Sequence, residues 1–149
     1  MRRLAISIRR VAPAVVTATV LLMGLVVSAE PAAASTCGPV RTSDGTQVGA
    51  NPGYYVCEYG PPLLVTWPDG RRQYFVVGTN YAVWDAVELQ PYSGHWSYWG
   101  TEGGVARSTV HIWSPATWNS LTIEVRGTDG RLWCDPWTSS TGWQGWRPC

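Results

Sequence analysis

The chain has 149 residues, ten of them tryptophan, and a formal net charge of +1 at pH 7. Four of its eleven basic residues fall in the first ten positions, and residues 35–149 carry seven Arg, no Lys and nine carboxylates, a formal charge of −2. A slightly acidic, lysine-free domain has no electrostatic footprint for nucleic acid or an anionic membrane, so we expect neither as a partner. About 115 residues suffice for one small domain with one core.

The N-terminus has the three parts of a secretory signal peptide. A basic start, "MRRLAISIRR", precedes an apolar run at residues 11–27 and the small-residue segment "SAEPAAAST". We predict a signal peptide over residues 1–34 with cleavage after Ala34, Ala29 being the second choice, and therefore a secreted, extracellular protein. An uncleaved membrane anchor is the alternative, but the run contains Pro13 and is short for a span of about 20 residues.

All four cysteines follow this segment, and they are Cys37, Cys57, Cys134 and Cys149. An even number in an exported chain favours two disulfides, and we predict Cys37–Cys57 and Cys134–Cys149 because each pair brackets one compact segment. A link across about fifteen residues stabilises by roughly 3 kcal/mol in the chain-entropy model. Zinc is the alternative, but no Cys-x-x-Cys or His-x-x-x-His spacing is present, so we expect no metal and no cofactor.

After an N-terminal extension at residues 35–62, the chain repeats itself. Residues 63–104 form copy one and residues 108–149 form copy two. The matched features are Trp67 with Trp113, Gly78-Thr79-Asn80 with Gly127-Thr128-Asp129, Trp84 with Trp133, Trp96 with Trp143, and Trp99 with Trp146. A period of about 45 residues with short strand-like runs is typical of radial β-repeats such as propeller blades.

Strand-like runs joined by turn residues divide each copy into four predicted strands. Those of copy one are 63–67, 72–77, 82–88 and 95–99, and those of copy two are 109–113, 120–126, 131–135 and 143–147. No segment after residue 34 shows sustained helical periodicity. We therefore predict an all-β, disulfide-stabilised fold of two four-stranded propeller-like blades.

The second strand of each copy predicts how its sheet is covered. In copy two, residues 120–126 alternate between apolar and polar side chains, so that strand has one apolar face. In copy one, residues 73–77 ("QYFVV") place apolar side chains on both faces, and such a sheet must be covered twice. We predict that the first sheet is sandwiched and that the second presents Glu124 and Arg126 to solvent, a ligand or a partner chain.

The last hairpin and the strand after it resemble a known repeat. "EVRGTDGRLW" followed by "GWQGW" resembles the blades of tectonin-like and PLL-like lectin propellers, which carry an Arg-Gly-Thr-Asp-Gly-x-Leu-Trp hairpin and then a Gly-Trp-x-x-Trp strand. The resemblance is close over residues 120–147, looser over 72–100, and does not extend to residues 35–62. It implies a blade-type fold and glycan binding in pockets near or between blades.

Two blades cannot close a propeller ring, which usually has four to eight. One solution is a homo-oligomer, since a trimer would supply six blades, and similar small fucose lectins with two blades per chain assemble as trimers. A second is a two-sheet sandwich whose open face is covered by residues 35–62. A third is a degenerate fragment stabilised by its disulfides. Without such an arrangement, open strand edges invite uncontrolled pairing.

Asp69 and Asp129 each precede a glycine, a pair that predicts a β-hairpin corner. A type I′ turn, with positive φ at both central positions, is the form that Asp-Gly favours. At the corresponding point of copy one, Asn80-Tyr81 replaces Asp-Gly, and because Tyr resists positive φ we predict a different turn there. A calcium loop would need several closely spaced acids, and the sequence has none.

The sequence offers little for catalysis. His95 and His111 are the only histidines, no Gly-x-Ser-x-Gly motif is present, and all cysteines are expected to be oxidised. Glycoside hydrolysis needs a carboxylate pair, although Glu102 in "GTEGG" is expected to be a polar loop residue. The acids considered for such a pair are Asp85, Glu88, Glu102, Glu124 and Asp135. We predict no catalytic residues, and a small secreted hydrolase ranks third among the functions considered.

The tryptophans are the strongest functional signal. Trp84 and Trp133 lie in mid-strand at matching positions, and we predict that they pack in the core. The two members of a Trp-x-x-Trp pair point to opposite faces of a regular strand, so one member of each pair should be free to contact a ligand. Sugars stack their C–H faces on indole rings and bind polar side chains at their edges. The predicted carbohydrate-binding residues are Trp96, Tyr98, Trp99, Glu124, Arg126, Trp143 and Trp146.

We therefore expect a secreted, non-catalytic, lectin-like protein that binds a glycan by aromatic stacking, with Glu124 and Arg126 providing polar selectivity. The alternative is a secreted protein-interaction or inhibitor-type module whose exposed aromatic residues contact another protein. The sequence does not name the sugar, and it leaves open whether the chain forms a homo-oligomer.

Overall fold

The computed structural model describes residues 33–149, and the predicted signal peptide lies outside this range except for its last two residues. The described chain is all-β, as the sequence predicts, with one short 3-10 turn at Cys57–Tyr59 and no α-helix. No helix in this range has the length and hydropathy of a membrane span.

Eleven short strands form three antiparallel sheets in the described residues. The small N-terminal sheet pairs β1 (Thr36–Cys37) with β2 (Tyr55–Val56). The first large sheet has the order β3–β4–β5–β6, and these strands are Leu63–Thr66, Arg72–Val77, Val83–Val87 and Gly100–Gly103. The second large sheet has the order β10–β9–β8–β7, and β11 also pairs with β9. Its strands, from β7 to β11, are His111–Ser114, Ser120–Arg126, Leu132–Thr138, Gly142–Trp143 and Arg147–Pro148.

The first three strands of each copy lie where the sequence predicts them, apart from shifts at their ends, and the fourth strands do not. In copy one the predicted strand 95–99 is wrong. Trp96 makes one isolated bridge to Glu88, and the fourth strand is Gly100–Gly103. An edge strand is held by backbone hydrogen bonds on one side only, so its side chains give little signal of it.

In copy two the predicted strand 143–147 is split into β10 and β11, which both pair with β9. Gly145, with a φ of 87°, lies in the break between them. The break faces Pro136 of β9, whose carbonyl accepts a hydrogen bond from Gln144 but which has no N–H to donate to the ladder. The missing donor and the left-handed glycine explain the interruption.

The two large sheets pack face to face on one apolar core. On β8, Leu121, Ile123 and Val125 are buried, and the residues that alternate with them are not. Across the interface, Phe75 meets Trp143 edge-on, with ring centroids 5.7 Å apart. The buried members of this core are Val65, Trp67, Phe75, Val77, Val83, Ala106, Val110, Leu121, Ile123 and Val125.

The N-terminal extension, residues 35–62, covers the outer face of the first sheet and is called the covering segment. Val40 and Val48 are buried against Tyr74, Val76 and Ala86, which point away from the second sheet. The prediction that the first sheet is sandwiched is therefore confirmed. Of the arrangements that two copies permit, the described chain has the two-sheet sandwich with a covering segment.

Both predicted disulfides, Cys37–Cys57 and Cys134–Cys149, are present. The first fastens the covering segment, whose paired strands β1 and β2 have only two residues each. The second ties the C-terminus to β9. Two disulfides are consistent with an extracellular protein.

Replacing Cys37 and Cys57 with serine should destabilise the protein by about 3 kcal/mol, because few backbone pairs hold the segment that this disulfide closes. Urea unfolding of the oxidised protein, followed by tryptophan fluorescence, measures the change. Ser43→Ala, at an exposed position of the same segment, is the control and should be neutral. A loss under about 1 kcal/mol would show that packing of Val40 and Val48, and not the disulfide, holds the segment.

Candidate functional site

One five-residue turn, with Asp or Asn at its third position, occurs at residues 42–46, 67–71, 78–82 and 127–131. In each, the N–H of the first residue donates to the carbonyl of the fifth, and the N–H of the fourth donates to the carbonyl of the first. The Oδ1 atom at the third position accepts the N–H of the fifth residue. This side chain therefore fixes the corner of each turn.

The fourth residue of each turn is the one with positive φ. The prediction of type I′ turns at Asp69 and Asp129 is wrong, because only the following Gly70 (φ 86°) and Gly130 (φ 76°) are left-handed. The geometry is instead a turn closed by one left-handed residue, as in three-residue hairpin loops. The interpretation of Asp129 as a hairpin corner is confirmed.

The prediction that Tyr81 gives the turn at residues 78–82 a different type from the turn at residues 127–131 is also wrong. Tyr81 has a φ of 65° and occupies the same position as Gly130. Its ring lies 6.2 Å from the ring of Tyr59, and the guanidinium of Arg107 lies 4.4 Å from its centroid. These contacts offset the backbone strain that a left-handed tyrosine carries.

In the two hairpin turns that begin with glycine, a tryptophan six residues later lies against that glycine. A Cβ on Gly78 would be 2.7 Å from Cδ1 of Trp84, and a Cβ on Gly127 would be 2.8 Å from Cδ1 of Trp133. Only glycine permits this approach. Each indole Nε1 then donates to the turn side chain, with a distance of 3.1 Å in both hairpins. The acceptors are Asn80 Oδ1 for Trp84 and Asp129 Oδ1 for Trp133.

A second tryptophan in each copy also lies against glycine. Trp146 donates from Nε1 to the carbonyl of Glu102 at 2.9 Å, and a Cβ on Gly104 would be 2.9 Å from that same Nε1. Trp99 lies in closer contact with Gly49 and Gly53. The Trp99 Nε1 is buried without a hydrogen-bond partner among the described residues.

Each pair of tryptophans flanks a cleft. The first cleft, of about 320 Å³, lies beside Trp84 and Trp99, and the second, of about 330 Å³, lies beside Trp133 and Trp146. Both volumes are at the small end of the range for small-molecule sites. Five lining positions correspond at a constant offset in the chain, and they are Val76 and Val125, Gly78 and Gly127, Thr79 and Thr128, Asn80 and Asp129, and Trp84 and Trp133.

The structure separates the predicted carbohydrate-binding tryptophans. Trp99 and Trp146 line the two clefts. Trp143 packs between the sheets, and Trp96 is buried against Tyr74 on the covered face. The prediction that each Trp-x-x-Trp pair divides between two sheet faces is wrong, because both members pack on the same core and neither pair lies in a regular strand.

The other predicted ligand residues line neither cleft. Tyr98 is 75% exposed, between Trp96 and Trp99. Glu124 and Arg126 lie on the outer face of the second sheet, and Arg126 donates to the carbonyl of Gly130. They do not share a site with the cleft tryptophans.

Sequence reasoning missed the hairpin tryptophans as cleft residues. Trp84 and Trp133 are half-buried rather than fully in the core, and each presents a ring to a cleft. A signal for them was present, since "GTNYAVW" and "GTDGRLW" both place a glycine and an Asx residue at fixed distances before the tryptophan. This spacing could be interpreted only from the geometry of the turn, in which both the glycine and the Asx side chain contact the tryptophan.

Three carboxyl groups come together between the two sheets. Asp85 accepts a hydrogen bond from Gln73 Nε2 at 2.6 Å, and Gln73 Oε1 accepts one from Trp67 Nε1 at 2.8 Å. The side chain of Glu102 interacts with that of Asp85, and the charge of Asp135 also acts on it. Asp135 Oδ2 is buried without a partner among the described residues.

Burial raises the pKa of Asp85 and of Asp135. Burial, followed by the hydrogen bond with Asp85 and the charges of both aspartates, raises the pKa of Glu102 to about 8. The raised pKa of Glu102 favours its protonated form at neutral pH. The expectation that Glu102 is a loop residue is wrong, because it lies half-buried in β6 at a bulge opposite Val83 and Trp84.

Retaining glycosidases place two carboxyl groups about 5–5.5 Å apart around a sugar, whereas Asp85 and Glu102 interact directly with each other. The adjoining cavity, of about 180 Å³, is lined by Trp67, Arg71, Gln73, Asp85, Val87, Trp137 and Trp143. Glu88 forms a buried ion pair with Arg72 at 2.7 Å, and this hydrogen-bonded guanidinium holds the pKa of Glu88 at about 2.

Among residues 33–149, no group of three His, Cys, Asp or Glu side chains is arranged to hold a metal ion. The two histidines contribute to neither cleft, and both are exposed. Comparison of the chain with protein-family models and with curated proteins finds no match.

Gly127→Ala should destabilise the protein by about 1–3 kcal/mol, because the new Cβ forces Trp133 away from Asp129. Gly100→Ala is the matched control, since its Cβ would be 3.4 Å from the nearest atom, an ordinary contact. Urea unfolding measures both. Equal stability of the two variants would show that Trp133 shifts without loss and that Gly127 does not hold it in place.

The stability of the protein should fall as pH rises from about 5 to about 8, because folded Glu102 retains a proton that unfolded Glu102 releases. One such proton gives a slope of at most about 1.4 kcal/mol per pH unit. Acids whose pKa is lowered, such as Glu88, act below this window. Glu102→Gln, which keeps a donor to Asp85, should flatten the slope in urea unfolding, and an unchanged slope would assign the proton to another group.

Proposed function

We propose that this protein is a secreted, non-catalytic carbohydrate-binding protein whose two clefts each hold one sugar ring. The observation that carries the proposal is the matched pair of clefts, each flanked by two tryptophans. A sugar presents an apolar C–H face and a polar edge, and the clefts offer apolar walls with a few polar groups. A turn Asp or Asn and a threonine are polar groups that both clefts share, and Asn51 and Tyr54 also line the first.

The cleft walls support this function because the protein itself fixes them. Trp133 is held by its hydrogen bond to Asp129 and its contact with Gly127, and Trp146 is held by the carbonyl of Glu102. An interface side chain that becomes immobilised on binding costs about 0.5–1.5 kcal/mol. Rings that are fixed during folding avoid most of that cost, which favours a rigid ligand with a flat apolar face.

We further propose that the two copies are blades of the lectin-propeller type. The identical turns and the corresponding lining of the two clefts support a repeat. The covering segment favours a single-chain unit over a ring of three chains, because ring closure needs both outer sheet faces and residues 40–48 occupy one. Static light scattering distinguishes the two by the mass of one chain or of three.

A second candidate is a protein-interaction module, and exposed aromatic residues near β7 favour it. Trp113 and Trp118 are 55% and 68% exposed, and Ile112 is 41% exposed. β7 is an edge strand with one unpaired side in the described chain. Exposed apolar side chains beside an open strand edge are typical of protein contacts.

Trp84→Ala and Trp133→Ala should each weaken glycan binding at one cleft by about tenfold or more, which takes a weak site out of the measurable range, because a stacked aromatic ring contributes about 0.5–1.5 kcal/mol beyond its buried area. Each should lower the number of sites per chain from two to one, and the double variant should not bind. A glycan array identifies the bound sugars, and isothermal titration calorimetry with the best-bound methyl glycoside gives affinity and stoichiometry.

Trp118→Ala is the control for these variants, since Trp118 is exposed and lines neither cleft. It should bind glycans like the native protein. If no sugar binds, and a pull-down returns one protein partner that Trp118→Ala fails to capture, the interaction module replaces the lectin.

A further inference from the structure

We propose that the turn residue at the edge of each cleft, Asp129 in the second and Asn80 in the first, gives the two clefts opposite ligand preferences. The second cleft would select sugars that present hydrogen-bond donors, above all the ammonium group of an amino sugar. The first would select sugars that present acceptors, such as the carboxylate of a uronic acid. This inference rests on the proposed function, and it names the class of sugar for each cleft.

The second cleft presents a carboxylate oxygen that the protein does not use. Asp129 Oδ1 accepts both the N–H of Arg131 at 3.0 Å and the Nε1–H of Trp133 at 3.1 Å. Asp129 Oδ2 accepts no hydrogen bond from the described residues. These bonds, with that from Arg131 the largest cause, lower the pKa of Asp129, so the group is ionised at neutral pH. Asp129 is also the charged residue in the lining of its cleft.

The first cleft presents amide hydrogens at the same point. Asn80 Oδ1 accepts the N–H of Ala82 and the Nε1–H of Trp84, both at 3.1 Å. Because both partners are donors, the oxygen of the amide must face them, and the orientation of Asn80 is fixed. Its Nδ2 donates to no described residue. The lining of the first cleft has no Asp, Glu, Arg, Lys or His among the described residues.

The opposite walls of the two clefts differ, with Asn51 and Tyr54 in the first and Val83 and Val105 in the second, but none of these side chains is charged at neutral pH. Valine, glycine, threonine and tryptophan occupy corresponding positions in both, so the Asp–Asn exchange is the one difference in charge at corresponding positions. A charge-assisted hydrogen bond is about twice as strong as a neutral one, so an ammonium gains at Asp129 and a carboxylate is repelled there. At Asn80 a carboxylate accepts from Nδ2 without repulsion.

The test exchanges the two residues. Asp129→Asn and Asn80→Asp each install the side chain that the other hairpin already uses, with the Oδ1 acceptor retained, so folding should be unaffected. Each exchange is made in a variant in which the other cleft no longer binds. Asp129→Asn is combined with Trp84→Ala, and Asn80→Asp is combined with Trp133→Ala. The ligands are methyl glycosides of glucose, glucosamine and glucuronic acid, titrated by calorimetry at neutral pH.

Asp129→Asn should lower the affinity ratio of glucosaminide to glucuronide by about tenfold in the second cleft, and Asn80→Asp should raise it by about tenfold in the first. Asp69→Asn is the matched control, because the substitution removes the same charge from the same turn position. Asp69 lines neither cleft. Its ratio should not change.

Three results overturn the inference. If the ratio is unchanged by both exchanges while the neutral glucoside still binds, the inference fails and the carbohydrate-binding proposal stands. If Asp69→Asn shifts the ratio equally, net charge and not cleft chemistry sets the preference. If no glycoside binds the native protein, both the proposed function and this inference fail.

Discussion

Contact between an indole ring and a glycine backbone is the interaction on which both clefts depend. Trp84 and Trp133 rest on the first glycine of their hairpin turns, and Trp99 and Trp146 rest on glycines of the segment that precedes the sheet of their own copy. A Cβ at any of these glycines would overlap the ring or crowd it. The same contact therefore sets the distance between each ring and the backbone. Ring positions are settled in folding, before any ligand is present.

The central strands of each sheet could be predicted from the sequence because burial of their faces produces a two-residue alternation of side chains. Phe75 and Val76 are neighbours that point to opposite faces, and both are buried because one faces the second sheet and the other faces Val40 and Val48. Strand edges leave no such period. Gly100–Gly103 reads as a loop, yet it pairs with β5, since an edge strand needs backbone groups and no particular side chain.

The candidate site was only partly predictable for a different reason. The tryptophan repeat indicated the region that contains the cleft-lining aromatic residues, but strand periodicity could not separate Trp99 from Trp96, because the chain between them is not a strand. The pairing of Asp85 with Glu102 was also invisible, since it depends on a bulge in β6 that inserts one residue into the ladder. A shift of one residue changes the face to which a side chain points, and local sequence does not record it.

The two clefts differ in how firmly their second wall is held, and Glu102 is the cause. Its backbone carbonyl accepts the indole N–H of Trp146, while its side chain interacts with Asp85 between the sheets. The wall of the second cleft is thereby tied to the interior of the sandwich. Trp99 has no such bond from a described residue and is held by packing against Gly49 and Gly53. The second cleft is therefore linked through β6 to the carboxyl groups between the sheets, whereas the wall of the first cleft rests on Gly49 and Gly53 of the N-terminal extension.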